Sequence, residues 1–209
     1  MTKYFEARIA KLQKLLKKLN LDGMIVYQGA NMKYLIGFGG GTGDGVVVIS
    51  RDSACLVTDA RYEEAYKTSL PENVNLKITR AYYEEVISVA IAFDIKKLAF
   101  EADLPYNIYD YIDELLPADI SFDALPFAIE ALREVKDEAE LTALRKAAAA
   151  SVAAFNELIP FIKPGMTERQ VANELDRLQK NSELKKLHLT QLLHLVIVRR
   201  YPMAKQQIK

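Results

Sequence analysis

The chain has 209 residues, 50% of them hydrophobic and 27% charged, and its 28 basic and 28 acidic residues leave a formal net charge of zero. That composition is ordinary for a soluble globular protein and gives no reason to expect nucleic acid or an anionic membrane as a partner. No run approaches the roughly 18–20 apolar residues of a membrane span, the opening Met1-Thr2-Lys3-Tyr4 lacks the apolar core of a signal peptide, and the single cysteine, Cys55, excludes an internal disulfide framework and suits a reducing cytoplasm.

Phe5, Ile9, Leu12, Leu16 and Leu19 recur at spacings of three and four, which predicts an amphipathic helix over 4–20 with a lysine-rich outer face. Gly23 is placed to end it, and Met24-Ile25-Val26-Tyr27 reads as a short buried strand. After Asn31–Phe38 comes a loop holding five of the nine glycines. Val46–Ile49 and Ala54–Thr58 flank Arg51-Asp52-Ser53, the pattern of a hairpin. Asp59 is placed to cap a helix running to about Thr68, which Pro71 keeps from continuing. Strand, helix, strand, helix and strand then follow at 74–79, 82–93, 97–100, 107–115 and 119–122. Such alternation argues for an α/β layer with a mixed, mostly parallel sheet and flanking helices.

A different texture begins near Leu132. Asp137 with Glu140 forms a capping-box pattern, and Leu141, Leu144, Ala148, Val152, Phe155 and Ile159 make a stripe at helical spacing. Pro160 and Pro164-Gly165 stop that helix, and Thr167 with Gln170 opens another through about Gln179. Two helices with apolar stripes and no partner sheet are the beginning of a domain.

The residues offer few catalytic groups. The loop Gly37–Gly45 contains no G-x-G-x-x-G and no Gly-Lys-Ser/Thr, and it leads into a strand, whereas a phosphate loop leads into a helix N-terminus. A mobile strand-connecting loop is the plainer reading. Asp59 and Arg61 read as a helix cap and an ion-paired arginine before an acid and an anion anchor. Glu101, Asp103 and the Glu84-Glu85 pair are isolated carboxylates, and Cys55 reads as a small buried hydrophobe because residues 1–182 contain no histidine. His188 and His194 lie six apart, which is not the spacing of a helical metal pair. No catalytic, cofactor-binding or metal-ligating residue is therefore assigned.

Four segments occur in one order: Asp22-Gly23-Met24-Ile25-Val26, Asn31-Met32-Lys33-Tyr34-Leu35-Ile36-Gly37-Phe38, Leu56-Val57-Thr58-Asp59-Ala60-Arg61-Tyr62 with Ala65, and Leu98-Ala99-Phe100-Glu101. Together they resemble the N-terminal domain of the creatinase/aminopeptidase P family, the Xaa-Pro peptidases. Leu132-Arg133-Glu134-Val135-Lys136-Asp137-Glu138-Ala139-Glu140-Leu141 and Lys163-Pro164-Gly165-Met166-Thr167-Glu168 are similar to the opening of its pita-bread catalytic domain. The resemblance covers residues 4 to about 182. It implies a ribonuclease H-like N-terminal domain at 1–128, followed at 129–182 by the first helices of an incomplete α+β catalytic domain. It also implies a cytoplasmic, homo-oligomeric hydrolase acting on Xaa-Pro peptides through two divalent ions, manganese or cobalt, held by Asp, His and Glu. Those ligands lie in a part of the family domain with no counterpart here, so no cofactor is expected in this chain and it is expected to be inactive alone. Asn31, Tyr34, Asp59, Arg61 and Tyr62 match family positions and are assigned structural or substrate-access roles. The alternative is a non-enzymatic binding module or pseudoenzyme using the same N-terminal domain to engage a partner protein.

Residues 1–182 carry 22 basic and 27 acidic residues, a net of −5, whereas residues 183–209 carry six basic residues against Glu183 alone, a net of +5. A genuine basic interaction tail is one reading of this shift. The genetic code offers another. In a shifted frame, His188–Ala204 can encode a stretch ending in Leu-Pro-His-Gly, similar to the family's next segment. A one-base deletion at codon 183, converting AGT GGA GCT GAA to a frame that reads Ser-Glu-Leu-Lys, accounts for the whole tail. Residues 183–209 are therefore expected to be a frameshifted, non-native tail.

Overall fold

A computed structural model describes residues 2–181. Contacts divide the chain into two compact units, Met1–Val135 and Lys136–Lys209. The expected 183–209 tail, with His188 and His194, lies outside the described residues.

The first unit holds six strands: β1 (Gly23–Val26), β2 (Gly45–Ser50), β3 (Ala54–Thr58), β4 (Val74–Ile78), β5 (Lys97–Phe100) and β6 (Ser121–Ala124). They form one sheet in the order β4-β3-β2-β1-β5-β6. The β1–β5, β3–β4 and β5–β6 pairs are parallel, and β2 runs antiparallel to both its neighbours. The expected mixed, mostly parallel sheet is thus present, with β2 and β3 as its hairpin. β6 starts two residues later than the sequence pattern suggests because Ile120 N–H closes a turn onto Pro117 O at 2.9 Å.

Both sheet faces are covered, so the central strands are continuous apolar runs. Val46, Val47, Val48 and Ile49 of β2 are all at most 1% exposed, each worth ~1.5–3 kcal/mol of burial. One face packs against α1 (Thr2–Lys18), α2 (Gly29–Ile36) and α6 (Ala128–Glu134) through Ile9, Leu12, Leu16, Met32, Leu35 and Ile129. On the other lie α4 (Tyr82–Ala92) and α5 (Tyr106–Leu115), with Val86, Val89, Ile108 and Ile112 facing the sheet. Cys55 sits in that second layer at 1% exposure, and burial pushes its thiol up to about 11. It is the small buried hydrophobe expected.

Three short helices carry what periodicity did not announce. α2 has eight residues between Gln28, in extended conformation, and Gly37, whose left-handed φ of 74° lets its N–H close onto Lys33 O. α3 (Ala60–Tyr66) is capped by Asp59 as expected, but ends two residues short of Thr68. α6 buries Ala128 and Ile129 in the first unit's core, so that unit runs to Val135 and not to the expected limit at 128.

In the second unit, α7 (Glu138–Leu158) carries both halves of the Asp137–Glu140 capping box. A 3-10 turn at Ile159–Phe161 stops it at Pro160. α8 (Glu168–Asn181) opens with the Thr167–Gln170 box, Thr167 N–H donating to Gln170 Oε1 at 2.8 Å and Gln170 N–H to Thr167 Oγ1 at 3.3 Å. The helices meet through Ala154, Leu158, Val171, Leu175 and Leu178. The stripe of Leu144, Val152, Phe155 and Ile159 stands at least half exposed. A two-helix hairpin buries only one edge of each helix, and the stripe lies on the other.

Candidate functional site

Because β1, β3, β4, β5 and β6 run the same way and β2 is reversed, one edge of the sheet collects the ends of five strands and the start of β2. In open α/β sheets, the crevice beyond the carboxyl ends of strands is where ligands bind. The residues singled out by sequence, Asn31, Tyr34, Asp59, Arg61 and Tyr62, lie on elements that begin at this edge, in two hydrogen-bonded groups.

The first group centres on Asn31 of α2, 1% exposed. Its Nδ2 donates to Glu101 Oε1 at 2.6 Å and to Glu130 Oε1 at 2.5 Å, while its Oδ1 accepts from Arg133 Nη1 at 2.8 Å. Both donor hydrogens of the amide and one acceptor lone pair of its oxygen are thereby used. Glu101, directly after β5 and 4% exposed, also accepts on Oε2 from the backbone N–H groups of Tyr27 and Gln28 at 2.6 and 2.7 Å. Burial raises the Glu101 carboxyl above its ordinary range, against the pull of the Asn31, Gln28 and Tyr27 donors. Tyr34, one turn after Asn31, donates its hydroxyl to Leu132 O at 3.2 Å. Its ring lies under the Arg8 guanidinium, 4.4 Å from the ring centre. Glu101 is therefore not the isolated carboxylate the sequence suggested. Beside it opens a cleft of about 290 Å³ lined by Glu101, Asp103, Glu130, Pro126 and Phe127 among others.

Asp59 organises the second group. As the N-cap of α3 it accepts from Arg61 N–H at 2.9 Å, and the Arg61 guanidinium closes onto the same carboxylate with Nη2 to Oδ2 at 2.7 Å. The Tyr82 hydroxyl donates to Oδ2 at 2.5 Å. The Arg61 contact, then the Tyr82 hydroxyl, hold the Asp59 carboxyl well below the usual carboxylate range. Arg61 Nη2 also donates to Asp44 Oδ1 at 3.0 Å. Asp44 is lowered too, first by the Gly41 N–H on its Oδ2 and then by the Tyr62 hydroxyl.

These contacts pin the glycine loop, which corrects its reading as a mobile connector. Gly39 N–H donates to the Tyr66 hydroxyl at 2.5 Å, and Phe38 is buried with its ring centre 5.0 Å from those of Tyr62 and Tyr66. Thr42 Oγ1 accepts from Gly29 N–H at 3.0 Å and donates to Gln28 Oε1 at 3.1 Å. Gln28 Nε2 reaches Asp103 Oδ2 at 2.6 Å, so the loop joins the two groups.

Sequence reasoning missed Glu130, Arg133, Asp44, Gln28 and Tyr82. A carboxylate directly after a parallel strand, as at Glu101, was the available signal. Glu130 and Arg133 lie about a hundred residues from Asn31, and no local pattern joins them. Glu84 and Glu85 remain apart from this edge, the first accepting from the Tyr111 hydroxyl at 2.7 Å and the second facing Lys77 at 3.4 Å. Among the described residues, no group of three or more His, Cys, Asp or Glu side chains is placed to hold a metal ion, and no helix is long and apolar enough to cross a membrane.

The creatinase/prolidase N-terminal domain profile matches residues 8–135, and that of metallopeptidase family M24 matches residues 142–194, thus entering residues 183–194. Among curated proteins, an uncharacterised peptidase, YqhT, of Bacillus subtilis is 31% identical over 170 residues, covering 81% of this chain and 47% of that protein. Of solved structures, an Xaa-Pro dipeptidase from Bacillus anthracis superposes with a TM-score of 0.76 at 29% identity, over 85% of this chain and 49% of the other. An Xaa-Pro aminopeptidase structure from Streptococcus pyogenes matches with a TM-score of 0.58 at 26% identity, over 63% of this chain and 99% of the other. The chain spans about half the length of the curated relatives it matches. The N-terminal domain profile covers more than half of the chain, and the chain belongs to the creatinase/prolidase family, with residues 8–135 matching its N-terminal domain.

Proposed function

We propose that this chain supplies the N-terminal domain, and in the segment after it the opening helices, of a cytoplasmic metal-dependent peptidase that hydrolyses Xaa-Pro bonds. The observation that carries the reading is the joint sequence and fold match, over 85% of the chain, to a protein described as an Xaa-Pro dipeptidase. In this reading the pinned carboxyl edge, with Asn31, Asp59 and Arg61 as its ties, is a rigid wall that shapes substrate access in a homo-oligomer. The donors of the described residues do not fit a two-ion centre. Glu101 is taken up by backbone and amide N–H groups and Asp59 by Arg61 and Tyr82. Manganese or cobalt ligands therefore belong elsewhere in the full-length family.

The charge reversal at residue 183 favours a second part of the proposal, that residues 183–209 are read from a shifted frame and leave this chain inactive by itself. Two measurements test it. The purified chain, given Xaa-Pro dipeptides with added manganese, is expected to show no turnover, and robust chelator-sensitive hydrolysis would overturn the inactivity. Resequencing around codon 183 is expected to restore the frame, and a confirmed reading that ends at Lys209 would overturn the frameshift.

A further inference from the structure

Among the described residues, nothing covers the apolar stripe of the second unit. On α7 and the residue that follows it, Leu144, Ala148, Val152, Phe155 and Ile159 recur every three or four positions and so share one face. α8 packs elsewhere on the helix, against Ala154 and Leu158, roughly 110° round its axis. Leu144, Val152, Phe155 and Ile159 are 53%, 59%, 50% and 53% exposed. No charged residue interrupts them, and Arg145 lies only at the margin. Half of a large apolar side chain is roughly 100 Å², so these four present about 400 Å² on one copy. A contiguous patch of that size marks a contact surface.

We infer that a second copy of this chain docks on the stripe, α7 against α7, antiparallel, about a two-fold axis between Ser151 and Val152. Two stripes in contact remove about 800 Å² from water. The methyl of Ala149 and the margins of Arg145 and Asn156 bring this to about 1,000 Å², the least that a specific interface buries. The antiparallel register sets large side chains against small ones. Phe155 of each copy lies over Ala148 of the other, and Leu144 lies over Ile159. A parallel pair would stack Phe155 on Phe155 and Ala148 on Ala148, an overpacked layer beside an empty one. At the axis Ser151 meets Val152. The Ser151 hydroxyl already donates to Ala147 O at 2.8 Å, so covering it leaves no donor unpaired. Arg145 falls beside Asn156 of the second copy, where the guanidinium keeps a polar neighbour and water.

Nothing in this pairing depends on the peptidase reading, and the full 209-residue chain tests it. Sedimentation velocity from about 1 to 300 µM should show a 23.6 kDa monomer in exchange with a dimer, with a dissociation constant of roughly 10 µM for an interface at the lower size limit. Phe155→Glu and Val152→Glu each put a charge on the stripe and should weaken the dimer about tenfold or more, with helix content by circular dichroism unchanged. Lys146→Ala, on the opposite face of α7, should leave the dissociation constant as it is. In a Cys55→Val background, Val152→Cys should form an intermolecular disulfide under mild oxidation, because the paired positions lie within about 1.5 Å of one level along the helix axes. Leu144→Cys should form none, its two copies being roughly 22 Å apart along those axes. A chain monomeric at every concentration would overturn the pairing, whether residues 183–209 or nothing covers the stripe. Association that persists in Phe155→Glu, or that Lys146→Ala weakens equally, would place the contact on another surface and overturn it too. A disulfide formed by Leu144→Cys would overturn the antiparallel arrangement.

Discussion

Replacing Asn31 with alanine removes one buried amide and three hydrogen bonds, two to carboxylates and one from Arg133. The largest loss falls on Glu101, whose Oε1 stays buried while its donor disappears, and a charge-assisted bond of this kind contributes about 1.5–3 kcal/mol. Glu130 and Arg133 are part-exposed, so water replaces most of what they lose. The expected destabilisation is about 3 kcal/mol. Urea unfolding at pH 7, followed by far-UV circular dichroism because the chain has no tryptophan, measures it. Asn31→Asp sharpens the test. The new side chain turns an acceptor oxygen toward two carboxylates, so it should cost more than alanine at pH 7 and recover part of the loss as pH falls. A loss below about 1 kcal/mol for Asn31→Ala, or an Asn31→Asp protein more stable than Asn31→Ala at pH 7, would refute the assignment of Asn31 as the tie between β5, α2 and α6.

Other expectations follow from single residues. Phe127→Gly should stabilise the first unit by about 0.5–1 kcal/mol, since the side chain is 76% exposed and its left-handed backbone suits glycine; equal or lower unfolding midpoints would contradict the strain. Asp59 has a depressed folded-state pKa, so its stabilising contribution is present above the ordinary aspartate range and is lost as pH falls through the folded value. Asp59→Asn should therefore flatten the wild-type decline in stability below about pH 4, and an unchanged acid profile would count against the Arg61–Tyr82 arrangement. Cys55 has a raised pKa, so on going from pH 9 to pH 11 the unfolded thiol ionises before the folded one and stability falls. Cys55→Val should remove that alkaline component, and native Cys55 should resist a thiol reagent at pH 7.5 until the chain unfolds; rapid native labelling would show it is not buried.

Elements with long, uninterrupted periodicity were legible in the sequence. Ile9, Leu12 and Leu16 announced α1, and the two capping boxes announced α7 and α8, because each signal lies within one or two helical turns. The apolar run Val46–Ile49 likewise announced a strand of a hairpin. α2 and α6 were not legible, since eight and seven residues beside glycine and proline are too few for a periodic signal. The stripe on α7 was read correctly as apolar, yet periodicity reports chemistry and not partners, and Val152 and Phe155 stand exposed. At the carboxyl edge, the Asp59 cap and its Arg61 ion pair were readable because they are two residues apart. The Asn31–Glu101–Glu130 group joins positions separated by 70 and 99 residues, a relation that only the crossover from β1 to β5 and the return of α6 create.

The most direct test of the central reading is an activity comparison between this chain and the product of the same gene with the frame at codon 183 restored. Both would be given Ala-Pro and Ala-Ala with manganese, with and without chelator. The account predicts chelator-sensitive cleavage of Ala-Pro over Ala-Ala by the restored protein and none by the 209-residue chain. A restored protein with no preference for the Xaa-Pro bond, or chelator-sensitive turnover by the 209-residue chain, would contradict it.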